Sequence, residues 1–195
     1  MREYANLKHN RAVASIERAS SEADWERMRA ICVETSARPV AEERRAAFGR
    51  SWIDPYRRWA PRWAYVAREE CDVVGYLTGC ASTASFLFLS GLAGPRPVLG
   101  ANLRFPKSLL ARLLWRYPAH LHVNVRAGHR GGVGRALMER FERDAAAGGA
   151  RGAHVFCGER PLGFYLKLGY EELGRVATGG VFIFALGKRF RQRFE

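Results

Sequence analysis

No stretch of this 195-residue chain reaches the roughly 18 consecutive apolar residues that a membrane-spanning helix needs. No N-terminal segment joins a charged start to an apolar run. The expectation is a cytoplasmic protein with no membrane association. Cysteine is scarce: Cys32, Cys71, Cys80 and Cys157 show no Cys-x-x-Cys spacing and no histidine at a metal-motif distance. That pattern excludes a disulfide scaffold and gives no metal site, so the four are expected to be buried, reduced thiols. Lysine is nearly missing. The net charge of +13 comes from 32 basic against 19 acidic residues, yet only Lys8, Lys107, Lys167 and Lys188 are lysines. Such a charge attracts anions. The arginines are dispersed along the chain rather than clustered, which argues against a dedicated nucleic-acid face. Repeats and low-complexity tracts are absent too. With 48% hydrophobic residues the chain can bury a sizeable core, and one domain over 1–195 is expected.

What is present centres on 119–141, AHLHVNVRAGHRGGVGRALMERF. Leu121, Val123 and Val125 alternate with His120, His122 and Asn124, the period of an extended strand. Gly128, Gly131, Gly132 and Gly134 follow, residues whose free backbone lets successive N–H groups turn toward one anion. From Val133 the apolar residues Leu137, Met138, Phe141 and Ala145 mark one face of a helix. Strand, glycine loop and helix N-terminus together make a phosphate site. It is not a P-loop, because no Lys-Ser or Lys-Thr follows the last glycine, and its spacing is not the Gly-x-Gly-x-x-Gly of a dinucleotide fold.

Gly132-Val133-Gly134-Arg135-Ala136-Leu137 resembles the end of the coenzyme A loop of the GNAT superfamily of N-acetyltransferases, Gln/Arg-x-x-Gly-x-Gly/Ala. The start differs: His129 stands at the first position, with Arg130 one place later. Downstream, Gly163-Phe164-Tyr165-Leu166-Lys167-Leu168-Gly169-Tyr170 is similar to the superfamily's Phe-Tyr-x-x-x-Gly-Phe segment, with Gly158 and Pro161 where Asn and Ala are usual. The resemblance spans about 16–186. It implies an α/β (α+β) fold with a mixed, mostly antiparallel central sheet of about six or seven strands flanked by helices, and a splayed strand pair holding coenzyme A. It also implies acetyl-CoA as cofactor, held by Val123, Asn124, Val125, His129, Arg130, Gly131, Gly132, Val133, Gly134, Arg135 and Tyr165.

Along the chain, residues 1–12 read as a polar extension and Val13–Arg18 as a first strand. A helix is capped by Ser21 with Asp24 and carries Trp25, Met28, Ile31 and Cys32 on its apolar face. A second helix is expected over Val40–Phe48, after Pro39. In Trp52–Trp63, WIDPYRRWAPRW, Pro55 and Pro61 are expected to break regular structure; the aromatics there either wrap a small core or, with Tyr56, Arg57, Arg58 and Trp59, present a stacking surface. Ala64–Arg68 and Val73–Thr78 should form a hairpin through Glu69–Asp72, with Gly75 and Gly79 marking a bulge or close packing. Residues 84–117 read as an insertion holding FLFL at 86–89, a glycine and proline turn region over 91–100 and a helix Lys107–Trp115; it serves as a pocket wall, a surface excursion or a homodimer contact. Gly148-Gly149 stops the central helix, Gly152–Cys157 is the next strand, and Glu171–Val176 with Gly180–Leu186 closes the sheet. The basic tail 188–195 is expected to be solvated or frayed.

The implied reaction is direct attack of a small-molecule or peptide amine on the acetyl thioester. An alkylammonium with a pKa near about 10 must lose a proton, which calls for a base. His120 and His122 share one strand face and titrate in the useful range. The oxyanion would be held by backbone N–H groups near Val123–Val125, and Tyr165 takes the place the superfamily often uses to protonate the leaving thiolate. Two other readings stay open: a GNAT-like coenzyme-binding or regulatory module without turnover, motivated by His129, Gly158 and Pro161, and a basic nucleic-acid-binding protein, motivated by charge and the 52–63 aromatics.

Overall fold

The computed structural model describes residues 14–90, 105–129 and 131–190. The expectations for 1–12, for 91–100, for Arg130 and for the last five residues lie outside them. Within them, β1 (Ser15–Arg18) leads into α1 (Glu22–Glu34). Ser21 Oγ accepts the backbone N–H of Asp24, and the Asp24 carboxylate accepts those of Ser20 and Ser21, so the expected capping box forms. Trp25, Met28, Ile31 and Cys32 are buried, as the spacing predicts.

The second helix corrects the sequence reading. α2 runs Glu42–Trp59, straight through Pro55. A proline inside a helix deprives the carbonyl four residues earlier of its donor; here that residue is the exposed Ser51, whose carbonyl can turn to water. Burial of Gly49, Ile53 and Tyr56 at helical spacing offsets the loss. At Gly49 a Cβ would lie 3.0 Å from both Cβ and the carbonyl oxygen of Arg29, so the glycine lets α1 and α2 cross in close contact. The expected break falls instead at Ala60, where a short 3-10 turn, Pro61–Trp63, begins.

β2 (Ala64–Glu69) and β3 (Asp72–Cys80) form the predicted hairpin. Its irregularity falls where Ala67 pairs with Gly75 and Arg68 with Val73, so Val74 is the extra residue and Gly75 flanks the bulge, as expected. Gly79 serves close packing: a Cβ there would come within 2.5 Å of the His120 carbonyl and 2.7 Å of the Phe141 ring. α3 (Thr83–Leu89), capped by Ser82, takes up the FLFL run, and α4 (Lys107–Arg116) matches the expected helix. Thr83 ties the two ends of this segment together, its N–H and its hydroxyl each donating to the Pro118 carbonyl at 2.8 Å.

β4 (Ala119–Val125), α5 (Val133–Ala147), β5 (Gly152–Cys157), α6 (Glu159–Lys167), β6 (Glu171–Thr178) and β7 (Val181–Arg189) complete the order. Among the described residues seven strands lie in the sequence β1-β2-β3-β4-β5-β7-β6. Every neighbouring pair is antiparallel except β4 with β5. This is the mixed, mostly antiparallel sheet expected from the sequence. One buried cluster joins α1 and α2 to Val66 and Tyr76; a larger one gathers Leu137, Met138 and Phe141 of α5 with Tyr65, Leu77, Leu121 and Val155. The tail departs from expectation at its start. Lys188 and Arg189 extend β7, Lys188 Nζ reaches Glu142 at 2.6 Å, and the Phe190 N–H donates to Arg151. Of the cysteines, Cys32, Cys80 and Cys157 are buried free thiols, but Cys71, in the hairpin turn, is exposed.

Candidate functional site

The site is organised by a divergence in the middle of the sheet. β4 pairs with β5 only at Ala119↔Ala153 and His120↔His154, although β4 runs five residues further and β5 three. On its other side β4 stays paired with β3 to Val125. The Arg126 N–H donates to the Val74 carbonyl at 2.9 Å, which fixes the phase of that ladder: even-numbered residues of β4 bond to β3. In an antiparallel pair the alternate residues then turn their N–H and C=O outward. Those of Val123 and Val125 therefore face the opening between β4 and β5. Val123 and Val125 send their side chains toward the α5 core cluster, while His120, His122 and Asn124 project from the opposite face.

At the C-terminal end of β4 the chain turns through the glycine loop into α5. Gly132 caps the helix at φ 94°, a left-handed conformation that suits glycine, and no side chain caps the turn. The Ala136 N–H bonds back to Gly132, which leaves the N–H groups of Val133, Gly134 and Arg135 as the first-turn donors without helical acceptors. A Cβ built on Gly132 or Gly128 would meet no atom within 4 Å, so the space before the helix end is open. Gly134 has another job as well: its Cα lies under Phe164, whose ring a Cβ would approach to 3.2 Å. Open space, unsatisfied donors and the positive helix end fit a pyrophosphate, and the outward N–H and C=O groups of Val123 and Val125 fit an amide-bearing arm running from it. His129 lies in the loop with Nδ1 2.7 Å from Glu69 Oε2, while Gly131 is exposed.

The two histidines of β4 occupy different surroundings. His120 is 3% exposed. Its Nε2 lies 2.9 Å from the Tyr56 hydroxyl, and its Nδ1 lies 2.8 Å from Thr83 Oγ1 and 3.1 Å from Cys80 Sγ. Burial, and secondarily His154, pulls its pKa down to about 3. The Cys80–His120 contact joins residues far apart in sequence, and no group of three potential metal ligands exists among the described residues. His122 keeps part of its surface accessible. Trp52 stacks on it at 4.7 Å between centroids, and its ring nitrogens meet the Tyr76 hydroxyl and the Asn124 amide at 3.3 Å each. Asn124 also donates to the Tyr76 hydroxyl at 2.9 Å. Burial lowers the His122 pKa to about 4. Beside this group the hydroxyl of Thr78, cross-strand partner of His122, is buried without a hydrogen-bond partner.

Tyr165 sits on α6, which packs against β5 and β7, and is 5% exposed against Phe164 and Tyr170. Burial first, then the neighbouring Cys157, raises its hydroxyl well above the ordinary value. It is a phenol at any working pH, able to donate a proton. The 52–63 aromatics do not form a shared outer surface: Tyr56 and Trp63 are buried, Arg57 pairs with Glu22, and Arg58 lies over Trp59. Sequence reasoning missed Trp52, Tyr76 and Asn124 as one cluster with His122. The period of β4 places Asn124 on the face of His122, the β3–β4 register adds Tyr76, and α2 brings Trp52.

No family model matches the chain. Among solved structures, SsHAT is similar at TM-score 0.69 and 24% identity, covering 91% of this chain and 98% of its own. Ard1 from Thermoplasma volcanium gives TM-score 0.62 and 16% identity over 91% and 98%. A protein from Desulfovibrio desulfuricans described as a GNAT-family acetyltransferase gives 0.62 and 14% over 90% and 98%.

Proposed function

We propose, from a chain whose fold is that of the GNAT acetyltransferases, that the protein as a whole is one acetyl-CoA-dependent N-acetyltransferase acting on a small-molecule or peptide amine. The observation that carries this reading is the divergence of β4 from β5, with the outward N–H groups of Val123 and Val125 leading directly into the uncapped N-terminus of α5. Acetyl-CoA would supply a thioester carbonyl, transferred to nitrogen with cleavage of the C–S bond.

The chain's own groups divide the remaining work. First-turn N–H groups of Val133, Gly134 and Arg135 hold the pyrophosphate. The Val123 and Val125 N–H groups orient the arm and donate to the carbonyl oxygen as it gains charge. Tyr165 gives its proton to the departing sulfur. On the other face, His122 and Asn124 meet the incoming amine. His120 is buried with short contacts to Tyr56 and Thr83, whereas His122 is partly accessible and its two ring contacts are long, 3.3 Å each, so His122 is the better placed of the pair. With a pKa near 4, His122 would take a proton from an ammonium of pKa about 10 only at an uphill cost of about 8 kcal/mol. The acceptor is therefore best delivered as its free amine, with His122 receiving a proton only as the new C–N bond acidifies it.

Calorimetric titration with acetyl-CoA tests the reading, alongside Gly134→Asp, which puts bulk and negative charge at the helix end. Micromolar binding by the wild type, lost in the variant, is expected; no binding by the wild type would sink it. A coenzyme-binding module without turnover is the second reading, favoured by the engagement of His129 with Glu69. Thiol release in an acceptor screen separates the two.

A further inference from the structure

We infer that Arg126 is a positioning residue that aims the glycine loop, and not a phosphate ligand, acting through a closed ring of four charged side chains. The inference rests on the acyl-donor reading of that loop. Arg126 is the first residue after β4. Its Nη1 lies 2.8 Å from Asp72 Oδ2 and its Nε 3.0 Å from Glu34 Oε2. Arg27 closes the ring from α1, with Nε 3.2 Å from Asp72 Oδ1 and Nη1 3.6 Å from Glu34 Oε1. Three elements meet here: α1, the start of β3 and the exit of β4. The backbone of Arg126 is pinned at the same point through its N–H to Val74.

A second tether lies three residues on. His129 Nδ1 reaches Glu69 Oε2 at 2.7 Å, and its N–H donates to the Arg126 carbonyl. The first part of the loop, 126–129, is thus tied at both of its ends to the β2–β3 hairpin, through Asp72 and Glu69, with the left-handed Gly128 between. The four ring side chains are partly exposed, and pairs in that setting add little stability each. What the ring supplies is direction. A loop already held in its binding conformation spends less of its interaction energy on ordering. The carboxylates point the same way. Two carboxylates against two guanidinium groups leave the ring with no net charge to draw an anion, so its arginines are committed to the ring.

The sign of one measurement separates the two roles. At high ionic strength, where the general effect of changing net charge is screened, acetyl-CoA affinity would be measured for the wild type, Arg126→Met and the double variant Glu34→Gln/Asp72→Asn. A positioning role predicts that both variants bind more weakly, on the order of tenfold, with KM for acetyl-CoA raised, kcat retained and melting temperature close to wild type. If Arg126 were a phosphate ligand, removing its two carboxylate partners would release it and tighten binding. Tighter binding by the double variant, or unchanged binding by Arg126→Met, overturns the inference and leaves the acyl-donor reading standing. Failure of the wild type to bind acetyl-CoA would remove that reading and this inference with it. Should Arg126→Met fold poorly, the double variant decides by its sign alone.

Discussion

Gly79 faces the His120 carbonyl at a distance no Cβ tolerates, with the Phe141 ring on the other side. Gly79→Ala is expected to destabilise the protein by about 2–3 kcal/mol, because neither a strand backbone nor a buried ring can yield cheaply; urea midpoints with an unchanged m-value would show it. The pH dependence of turnover follows from His122. Its imidazole is neutral down to about pH 4, so no inflection near pH 6.5 belongs to it. The lower limb of kcat/KM is expected to follow the acceptor's own ammonium pKa and to move when an acceptor of different basicity is used. A limb fixed near 6.5 for every acceptor would place a different base in the site. Tyr165→Phe should lower kcat on the order of a hundredfold while leaving acetyl-CoA affinity nearly unchanged, since the lost group is a proton donor in the step itself.

The capped start of α1 carries a prediction at the next scale. Burial alone would raise the Asp24 pKa, but the N–H groups of Ser20 and Ser21 and the Arg68 guanidinium outweigh it and hold it below the ordinary value. Ser21→Ala should cost about 1 kcal/mol, read as a shift in thermal midpoint. This helix was legible because its signals are local: a capping pair three residues apart and an apolar stripe. β5 was legible for the same reason, an apolar run bounded by the Gly148-Gly149 stop before and Gly158 after. α2 was misread at Pro55, where a local rule about proline outweighed the spacing of Gly49, Ile53, Tyr56 and Ala60, a helical stripe visible in the sequence. Tertiary burial decided that conflict, and no local rule records it. The candidate site divides likewise. The glycine loop and the strand before it could be seen because they are contiguous, and Asn124 lies two residues along that strand from His122; Tyr76 joins them only through the register of β3 on β4, and Trp52 only through the packing of α2. Cys71 was misplaced although the sequence sets it between Glu70 and Asp72, inside the very turn expected over Glu69–Asp72.

For the whole molecule, the depressed pKa values of His120, His122 and His154, about 3, 4 and 4, set the response to acid. Each titrates near 6.5 once unfolded, so the unfolded chain binds protons that the native state refuses. Their stabilising contribution is complete above pH 6.5 and is lost as pH falls toward 4, at up to about 4 kcal/mol per pH unit for the three together. Denaturation midpoints measured between pH 7.5 and 4.5 should fall steeply below 6.5; a flat profile would contradict the burial of these rings. Two of the three, His120 and His154, stand opposite each other at the last pair joining β4 to β5. In mechanical terms the sheet is two leaves, β1–β4 and β5–β7, stitched at one end by two residue pairs and backed by α5. The stitch is a fulcrum: a small rotation there is multiplied along the lever arms of both strands, so the width of the opening at Val125 is set by how the histidines pack at His120.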